Sequence, residues 1–323
     1  MKNVPIFKLL AAAILVAPAF SALAATRTWD GGGADNNWAT AANWNGPDIA
    51  PVGGDSVAFG FNTPAKYSPN NDNAANTLFG SITFNTGAAS GYTLSGNTIN
   101  LSSTIANLEN DLHTLNLNLE LVADVSVFTS GGDITIGGAI SGFGGIIKAN
   151  SATLNLNGIS TSDGGVQIQA GTIVAGVANA LGSGDLTFAG AGAGILSANS
   201  TDQSMGALTL SQNGTLNLEI GGGLGDLTFA SGSGTGLLTV NNWSGVAGIA
   251  GGGDDDRIFM TVDPGVTFRS QIQFSGGYAP GAYWVGGELV PVPEPTEWAL
   301  IVFAVLAILY KFVLPKLRRT VAC

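Results

Sequence analysis

Short runs of alternating apolar and polar residues recur from about Ser81 to Phe229, and they limit the possible folds more than any other feature of the chain. Two examples are residues 133–136, DITI, and residues 153–156, TLNL. Alternation places Leu, Ile and Phe on one face of a strand and Thr, Asn or Asp on the other. Gly, Asn and Ser, which favour turns, interrupt the runs. We therefore predict an all-β fold.

The string GDLTF occurs at residues 184–188 and again 41 residues later, at 225–229. This interval fits two coils of about twenty residues each in a stack of rungs. The predicted fold is a right-handed parallel β-helix, that is, a β-solenoid with apolar side chains inside. The alternative is an antiparallel sandwich or jelly roll, which requires tight hairpins at regular spacing, and the sequence holds few hairpin signals. The residues expected to point inward are Leu115, Leu117, Ile134, Ile136, Leu154, Leu156, Leu186, Phe188, Leu208, Leu210, Leu216, Leu218, Leu227 and Phe229.

Charged residues make up only 10% of the chain, which leaves too few long charged side chains for the exposed faces of a helical bundle. Between Thr26 and Pro293 there are five basic and twenty acidic residues. Such an acidic body repels a phosphate backbone, so we expect no nucleic-acid partner. The single Cys, Cys323, and the single His, His113, argue against disulfides, Cys-rich zinc sites and common His-based catalysis. We expect no cofactor and no metal.

The first 24 residues have the pattern of a secretory signal peptide. Lys2 and Lys8 give a positive start, the apolar run 9–16 follows, and small residues lead to an Ala-x-Ala site. Cleavage is predicted after Ala24, with Ala25 as the near alternative. A transmembrane helix is the other interpretation, but the apolar run is too short for one.

The other end of the chain carries a longer apolar run, residues 298–314, followed by basic residues. Seventeen residues are the short end of what crosses a bilayer, and Trp298 and Tyr310 suit the two interfaces. We predict a transmembrane helix over 298–314. The basic residues that follow place this end in the cytoplasm and the body outside.

This end resembles the PEP-CTERM sorting signal, which consists of a Pro-Glu-Pro, a short apolar helix and a terminal basic cluster. Lys311 and Pro315 interrupt the apolar part here, and the cluster holds only two Arg. The resemblance implies export across the inner membrane of a Gram-negative bacterium as a membrane-anchored precursor. It also implies processing by an exosortase-type membrane protease and delivery to the cell envelope or extracellular matrix. A plain anchor with a Pro-rich hinge is the alternative. The matching residues are Pro293, Glu294 and Pro295, and then Lys316, Arg318 and Arg319.

Part of the body resembles the autotransporter-associated β-strand repeat. The matching strings are GDITIGGAISGFGGIIK at 132–148, TLNLNG at 153–158, GTIV at 171–174 and NALGSG at 179–184. The resemblance implies a passenger-type β-solenoid element of bacterial surface proteins. Only one full copy is clear, and the stretch after Gly158 departs from the pattern.

The segment 28–44 and the string GDSVAF at 54–59 look like the element found ahead of such repeats. Its three tryptophans, Trp29, Trp38 and Trp44, are expected to plug the open end of the solenoid. The alternative is a stacking platform for sugars. Residues 25–80 are thus predicted to form an N-terminal cap, 81–229 the solenoid, 230–290 a C-terminal cap and 291–323 the sorting tail.

Few residues suggest chemistry. His113 is expected on a rung surface or at a corner. The cluster at 254–256, three Asp, could bind Ca²⁺, but we expect solvated carboxylates, one of them paired with Arg257. A glycosidase needs two carboxyl groups that face each other, and the sequence shows no such pair. We predict a structural or adhesive surface protein that is not an enzyme. The alternatives are a β-helical polysaccharide lyase or glycosidase and a glycan-binding module, with extracellular polysaccharide as the candidate ligand.

Overall fold

The computed structural model describes residues 24–60, 66–87, 89–218, 225–251, 256–308 and 310–311. Its strands form one sheet of 15 strands and one of 10. Neighbouring strands run parallel except at the C-terminal end. The prediction of an all-β solenoid is confirmed.

The described strands are short, and a few helical turns accompany them. In chain order they are β1 (Thr26–Trp29), β2 (Ser56–Phe59), β3 (Asn70–Asn71), β4 (Thr77–Phe84), β5 (Thr93–Gly96), β6 (Ile99–Asn107), β7 (His113–Leu115), β8 (Leu119–Leu121), β9 (Val125–Thr129), β10 (Ile134–Ile136), β11 (Ile140–Gly142), β12 (Ile146–Ala149), β13 (Thr153–Leu156), β14 (Val166–Ile168), β15 (Gly171–Ala175), β16 (Leu186–Phe188), β17 (Gly194–Ser197), β18 (Gln203–Leu210), β19 (Gly214–Asn217), β20 (Asp226–Gly234), β21 (Leu238–Asn241), β22 (Arg257–Met260), β23 (Ile272–Phe274), β24 (Ala279–Val285) and β25 (Glu288–Val292). The helices are a 3₁₀ turn at Ala41–Asn43, α1 (Gly265–Arg269) and α2 (Pro295–Ile308).

Successive strands alternate between the two sheets, so that each turn of the coil adds one strand to each. The larger sheet has the order β1-β2-β4-β6-β9-β12-β14-β16-β18-β20-β22-β25-β24, with β8 beside β6 and β11 beside β8. The smaller sheet runs β3-β5-β7-β10-β13-β15-β17-β19-β21-β23. Regular turns of this kind place each residue directly above its counterpart one coil earlier.

The register gives the length of a coil. Ile134 pairs with Leu154 and Ile146 with Val166, an offset of twenty residues in both cases, as predicted. The two GDLTF strings lie two rungs apart in the larger sheet but not in one column. The Leu186 of the first string pairs with Leu208, whereas the Leu227 of the second pairs with Gln203. The repeated string therefore marks strands of the same sheet but does not fix their register.

The inside of the coil is apolar, as the alternation predicts. All fourteen Leu, Ile and Phe residues expected to point inward are buried, none of them more than 1% exposed. They belong to one continuous hydrophobic core that runs from Trp29 to Val290.

Parallel pairing extends beyond the predicted limits of the solenoid. It begins with β1 on β2 and continues to β22 on β20 and β23 on β21. The regions expected as caps therefore also contribute rungs.

Each end of the stack is closed by antiparallel contacts. At the N-terminal end, Trp44 forms an antiparallel bridge with Trp29, and the Asn45 N–H donates to Thr28 O at 2.7 Å. At the C-terminal end, β25 pairs antiparallel with both β22 and β24. The outermost strand, β24, contains Pro280 and an irregular register, which suit a strand that has no further neighbour.

The predicted transmembrane helix over 298–314 is not found among the described residues. The helix in this region, α2, has only 14 residues, and no described helix has the length and apolar character needed to cross a bilayer. Residues 312–314 of the predicted span lie outside the described residues. A helix of this length rises about 21 Å, short of the roughly 30 Å of a bilayer core.

Candidate functional site

The predicted sorting motif lies where the folded body meets α2. Val292, the last residue of β25, pairs with Ala279 of β24. Pro293 is buried, Glu294 is half-buried, and Pro295 begins α2. The motif therefore forms the boundary between the C-terminal cap and the apolar helix. The basic residues Lys316, Arg318 and Arg319 lie outside the described residues.

Exposed apolar side chains surround this boundary. A turn that carries Val246 and Ile249, which are 50% and 57% exposed, is held to the cap by the Gly248 N–H, which donates to Pro291 O. On α2, Leu300 and Phe303 are also exposed. This end of the body thus combines the motif with an apolar surface.

The three tryptophans of the N-terminal segment are buried. Trp29 is 1% exposed, and Trp38 and Trp44 are fully covered. The Trp44 ring lies edge-on to both others, with centroids 5.3 Å from Trp29 and 5.9 Å from Trp38, and the Trp44 Nε1–H donates to Trp38 O at 2.7 Å. These rings present no open face on which a sugar could stack.

The expectation that His113 lies on a rung surface or corner is wrong. His113 begins β7 and is fully buried, with its ring stacked on Phe84 at 4.0 Å. Its Nδ1 accepts the Tyr92 N–H at 2.9 Å, and its Nε2 lies 3.0 Å from Glu109 Oε1. Burial lowers the pKa of His113 to about 4. The imidazole is therefore neutral, donates through Nε2 and is enclosed in the core.

A second buried polar side chain, Lys148, was not singled out from the sequence. It points inward from β12 and is fully covered. Its Nζ donates to three backbone carbonyl oxygens, those of Ala149, Asn150 and Ala170, at 2.7–3.3 Å. Burial lowers the pKa of Lys148 to about 8. The side chain satisfies carbonyl groups at a corner of the coil.

The Asp cluster at 254–256 is only partly within the described residues, because 254 and 255 lie outside them. Asp256 is buried and accepts the Gly225 N–H at 2.7 Å and the Ser200 hydroxyl at 3.1 Å. The expected pairing of Arg257 with this cluster is wrong, because Arg257 Nε lies 3.4 Å from Asp226 Oδ1. The part of the chain that the structure describes holds no group of three His, Cys, Asp or Glu suited to a metal ion.

Many of the acidic and amide residues have a structural role at the corners of the coil. In six cases an Asp or Asn side-chain oxygen accepts the backbone N–H of the residue stacked on it one coil later, at 2.7–2.9 Å. Four of the six stand immediately before a strand of the larger sheet. We call these residues the corner acceptors. They are Asn118, Asp124, Asp133, Asp185, Asp202 and Asn213.

Removing a corner acceptor should destabilise the stack. Asp185→Ala leaves the Ala207 N–H without its carboxylate, now 2.7 Å away, and should cost about 1–3 kcal/mol of unfolding free energy. Asp185→Asn keeps an acceptor and should cost less. Chemical denaturation of the three proteins measures the differences. The control is Asp163→Ala, because the exposed Asp163 accepts from the Ser183 hydroxyl rather than from a backbone N–H. Equal losses for Asp163→Ala and Asp185→Ala would contradict the assignment.

One surface groove of about 320 Å³ lies along the larger sheet. Its wall includes Gln167 and Thr187, with Asp124 and Asp185 at two of its rungs. The strand register places these two carboxyl groups three rungs apart, which is roughly 14 Å. Retaining and inverting glycosidases hold their carboxyl groups about 5–9.5 Å apart. The groove can offer hydroxyl, amide and carboxylate groups to a polar ligand, but this pair of acids is too widely spaced for that chemistry.

The arrangement of the described residues favours structural roles for most polar groups. His113 and Lys148 are enclosed, and the corner acceptors bind backbone N–H groups. The exposed features that remain are the polar groove and the apolar boundary around the sorting motif. Comparisons of the chain with protein-family models, with curated proteins and with solved structures found no match in any of the three.

Proposed function

We propose that the protein is an exported structural or adhesive component of a bacterial surface or extracellular matrix, built on a right-handed β-helix and sorted through its C-terminal tail. The observation that carries the proposal is the position of Pro293, Glu294 and Pro295. They stand at the point where the folded body ends and the apolar helix begins. A protease that cut near the motif would release an intact solenoid from its anchor.

The apolar surface beside the motif supports the same proposal. Val246, Ile249 and α2 expose apolar side chains at one end of the body, where an anchored precursor would face the lipid headgroups. The anchor itself is proposed to be the run 298–314, whose last residues extend beyond α2. The partners are then the inner membrane and an exosortase-type membrane protease. The bacterium is Gram-negative in this proposal.

The absence of catalysis is part of the proposal. Its support is the use of the polar groups: the acids at the corners accept backbone hydrogen bonds, and the widely spaced pair Asp124 and Asp185 cannot act together on one glycosidic bond. Glycan binding is the second candidate function. The polar groove with Gln167 and Thr187 favours it, whereas the buried tryptophans do not.

The sorting proposal is tested by changing the motif in a host that has the exosortase. With Pro293, Glu294 and Pro295 all replaced by Ala, most of the protein should remain in the inner membrane as unprocessed precursor. Glu294→Ala alone should act in the same direction, and it leaves the buried Pro293 in the cap. The matched control is Pro280→Ala on the neighbouring strand β24. Membrane fractionation and the mass of the product are the measurements, and normal processing of the triple variant would refute the proposal.

A further inference from the structure

A buried carboxylate lies directly against the start of the folded body. Asp55 is 1% exposed. Its Oδ1 accepts the backbone N–H of Ala25 at 2.8 Å, and its Oδ2 accepts the Val52 N–H at 3.1 Å and the Arg27 Nε–H at 3.0 Å. Three donors from separate parts of the N-terminal segment thus converge on one side chain.

The Asp55 carboxyl group is ionised in this position. Burial alone would raise its pKa, but the N–H groups of Ala25 and Val52 and the side chain of Arg27 together hold the pKa below its ordinary value of 3.8. Arg27 supplies one positive charge, and its side chain is 21% exposed. A second positive charge at the position of the Ala25 nitrogen would therefore meet a desolvated negative group.

The two predicted cleavage positions differ in what they leave opposite Asp55. Ala24 is exposed, whereas Ala25 is partly covered and joined to the body by a hydrogen bond from the Ser56 N–H to its carbonyl oxygen. Hydrolysis of the Ala24–Ala25 bond adds water, leaves a carboxylate on Ala24 and leaves an ammonium group on Ala25. Hydrolysis one residue later would remove the Ala25 nitrogen and leave Asp55 with one donor fewer.

We infer that cleavage occurs after Ala24 and that the new α-ammonium group of Ala25 forms an ion pair with Asp55 that fixes the first strand of the solenoid. The inference rests on the proposed export. The peptide N–H that now donates to Asp55 becomes a charged donor in the mature protein, and charged hydrogen bonds are about twice as strong as neutral ones. Removal of the signal peptide thereby strengthens the attachment of β1 to the residues around β2.

The N-terminus of the protein exported by its native host tests the cleavage position. Mass spectrometry of the N-terminal peptide should identify Ala25 as the first residue. A first residue other than Ala25 would overturn the inference while leaving export intact. A chain that keeps its first 24 residues would refute both the inference and the proposed export.

The ion pair is tested with purified chains that start at Ala24, Ala25 or Thr26 and continue to Cys323, each released with a free amine from a removable fusion and kept in mild detergent. The chain that starts at Ala25 should have the highest unfolding midpoint, by roughly 2 °C or more. Asp55→Asn should abolish the advantage of the Ala25 chain over the Ala24 chain, and the control Asp163→Asn should preserve it. Equal midpoints for the Ala24 and Ala25 chains, or an advantage that survives Asp55→Asn, would overturn the ion pair.

Discussion

Replacing Gly214 with alanine is expected to cost about 3 kcal/mol or more of unfolding free energy. A Cβ at Gly214 would lie 2.3 Å from Cγ of Phe188, and two further atoms of that ring are within 2.6 Å. Phe188 is fully buried and comes from the opposite sheet, so its ring has no free space into which it can turn. Forced overpacking in a closed core commonly costs 1–3 kcal/mol, and this contact is closer than real Cβ contacts come. Thermal and denaturant unfolding measure the loss.

Shortening the ring should relieve the clash. Phe188→Leu alone should destabilise the protein, but Phe188→Leu combined with Gly214→Ala should be more stable than Gly214→Ala alone. The matched control is Gly53→Ala, because the nearest atom to a Cβ there is 4.0 Å away. If Gly214→Ala leaves stability unchanged, or if Phe188→Leu makes the Gly214→Ala variant still less stable, the contact does not limit packing.

Acid should destabilise the protein through His113, well above the pH at which most carboxylates titrate. The pKa of His113 falls from 6.5 to about 4 on folding, because the ring is buried. Protonation would also place a proton on Nδ1, which already accepts the Tyr92 N–H. Between about pH 6.5 and pH 4 the unfolded chain binds a proton that the folded chain does not. Stability is therefore lost as the pH falls through this window, by about 3 kcal/mol in total.

His113 is the only His of the chain, which makes the measurement direct. In NMR spectra of the folded protein, its ring signals should not titrate between pH 7 and pH 5. His113→Asn, which can still accept the Tyr92 N–H, should be less stable at pH 7 but should lose much less stability on going to pH 4. A ring that titrates at an ordinary pH, or a variant with the same pH dependence as the wild type, would contradict the prediction.

Side-chain direction could be predicted from the sequence because it is a local property of a strand. Leu154 and Leu156 are two residues apart, so they share a face whatever lies next to them. The same reasoning could have found the two buried polar residues. His113 stands two positions before Leu115, and Lys148 stands two positions after Ile146, so both occupy inward positions of their strands. Their residue types led to the expectation of an exposed or scattered position, and the alternation was the better guide.

Register could not be predicted in the same way. The GDLTF strings are identical, yet Leu186 pairs with Leu208 and Leu227 pairs with Gln203. Pairing depends on the number of residues in each corner, and a corner can lengthen without changing the strand that follows. The corner acceptors had a local signal, an Asp or Asn just before a strand, but their partners are twenty or more residues away. The ion pair of Arg257 with Asp226 likewise follows from stacking of β22 on β20.

The antiparallel contacts at the two ends of the stack determine how such a body can vary in size. Because both ends are closed, another copy cannot extend the sheets end to end, so each molecule is a spacer of fixed length. Ten strands of the smaller sheet give nine steps, or about 43 Å along the axis. Gaining or losing one coil of twenty residues would change this length by about 4.8 Å and leave both ends intact. Relatives of this protein should therefore differ in reach by whole coils rather than by continuous amounts.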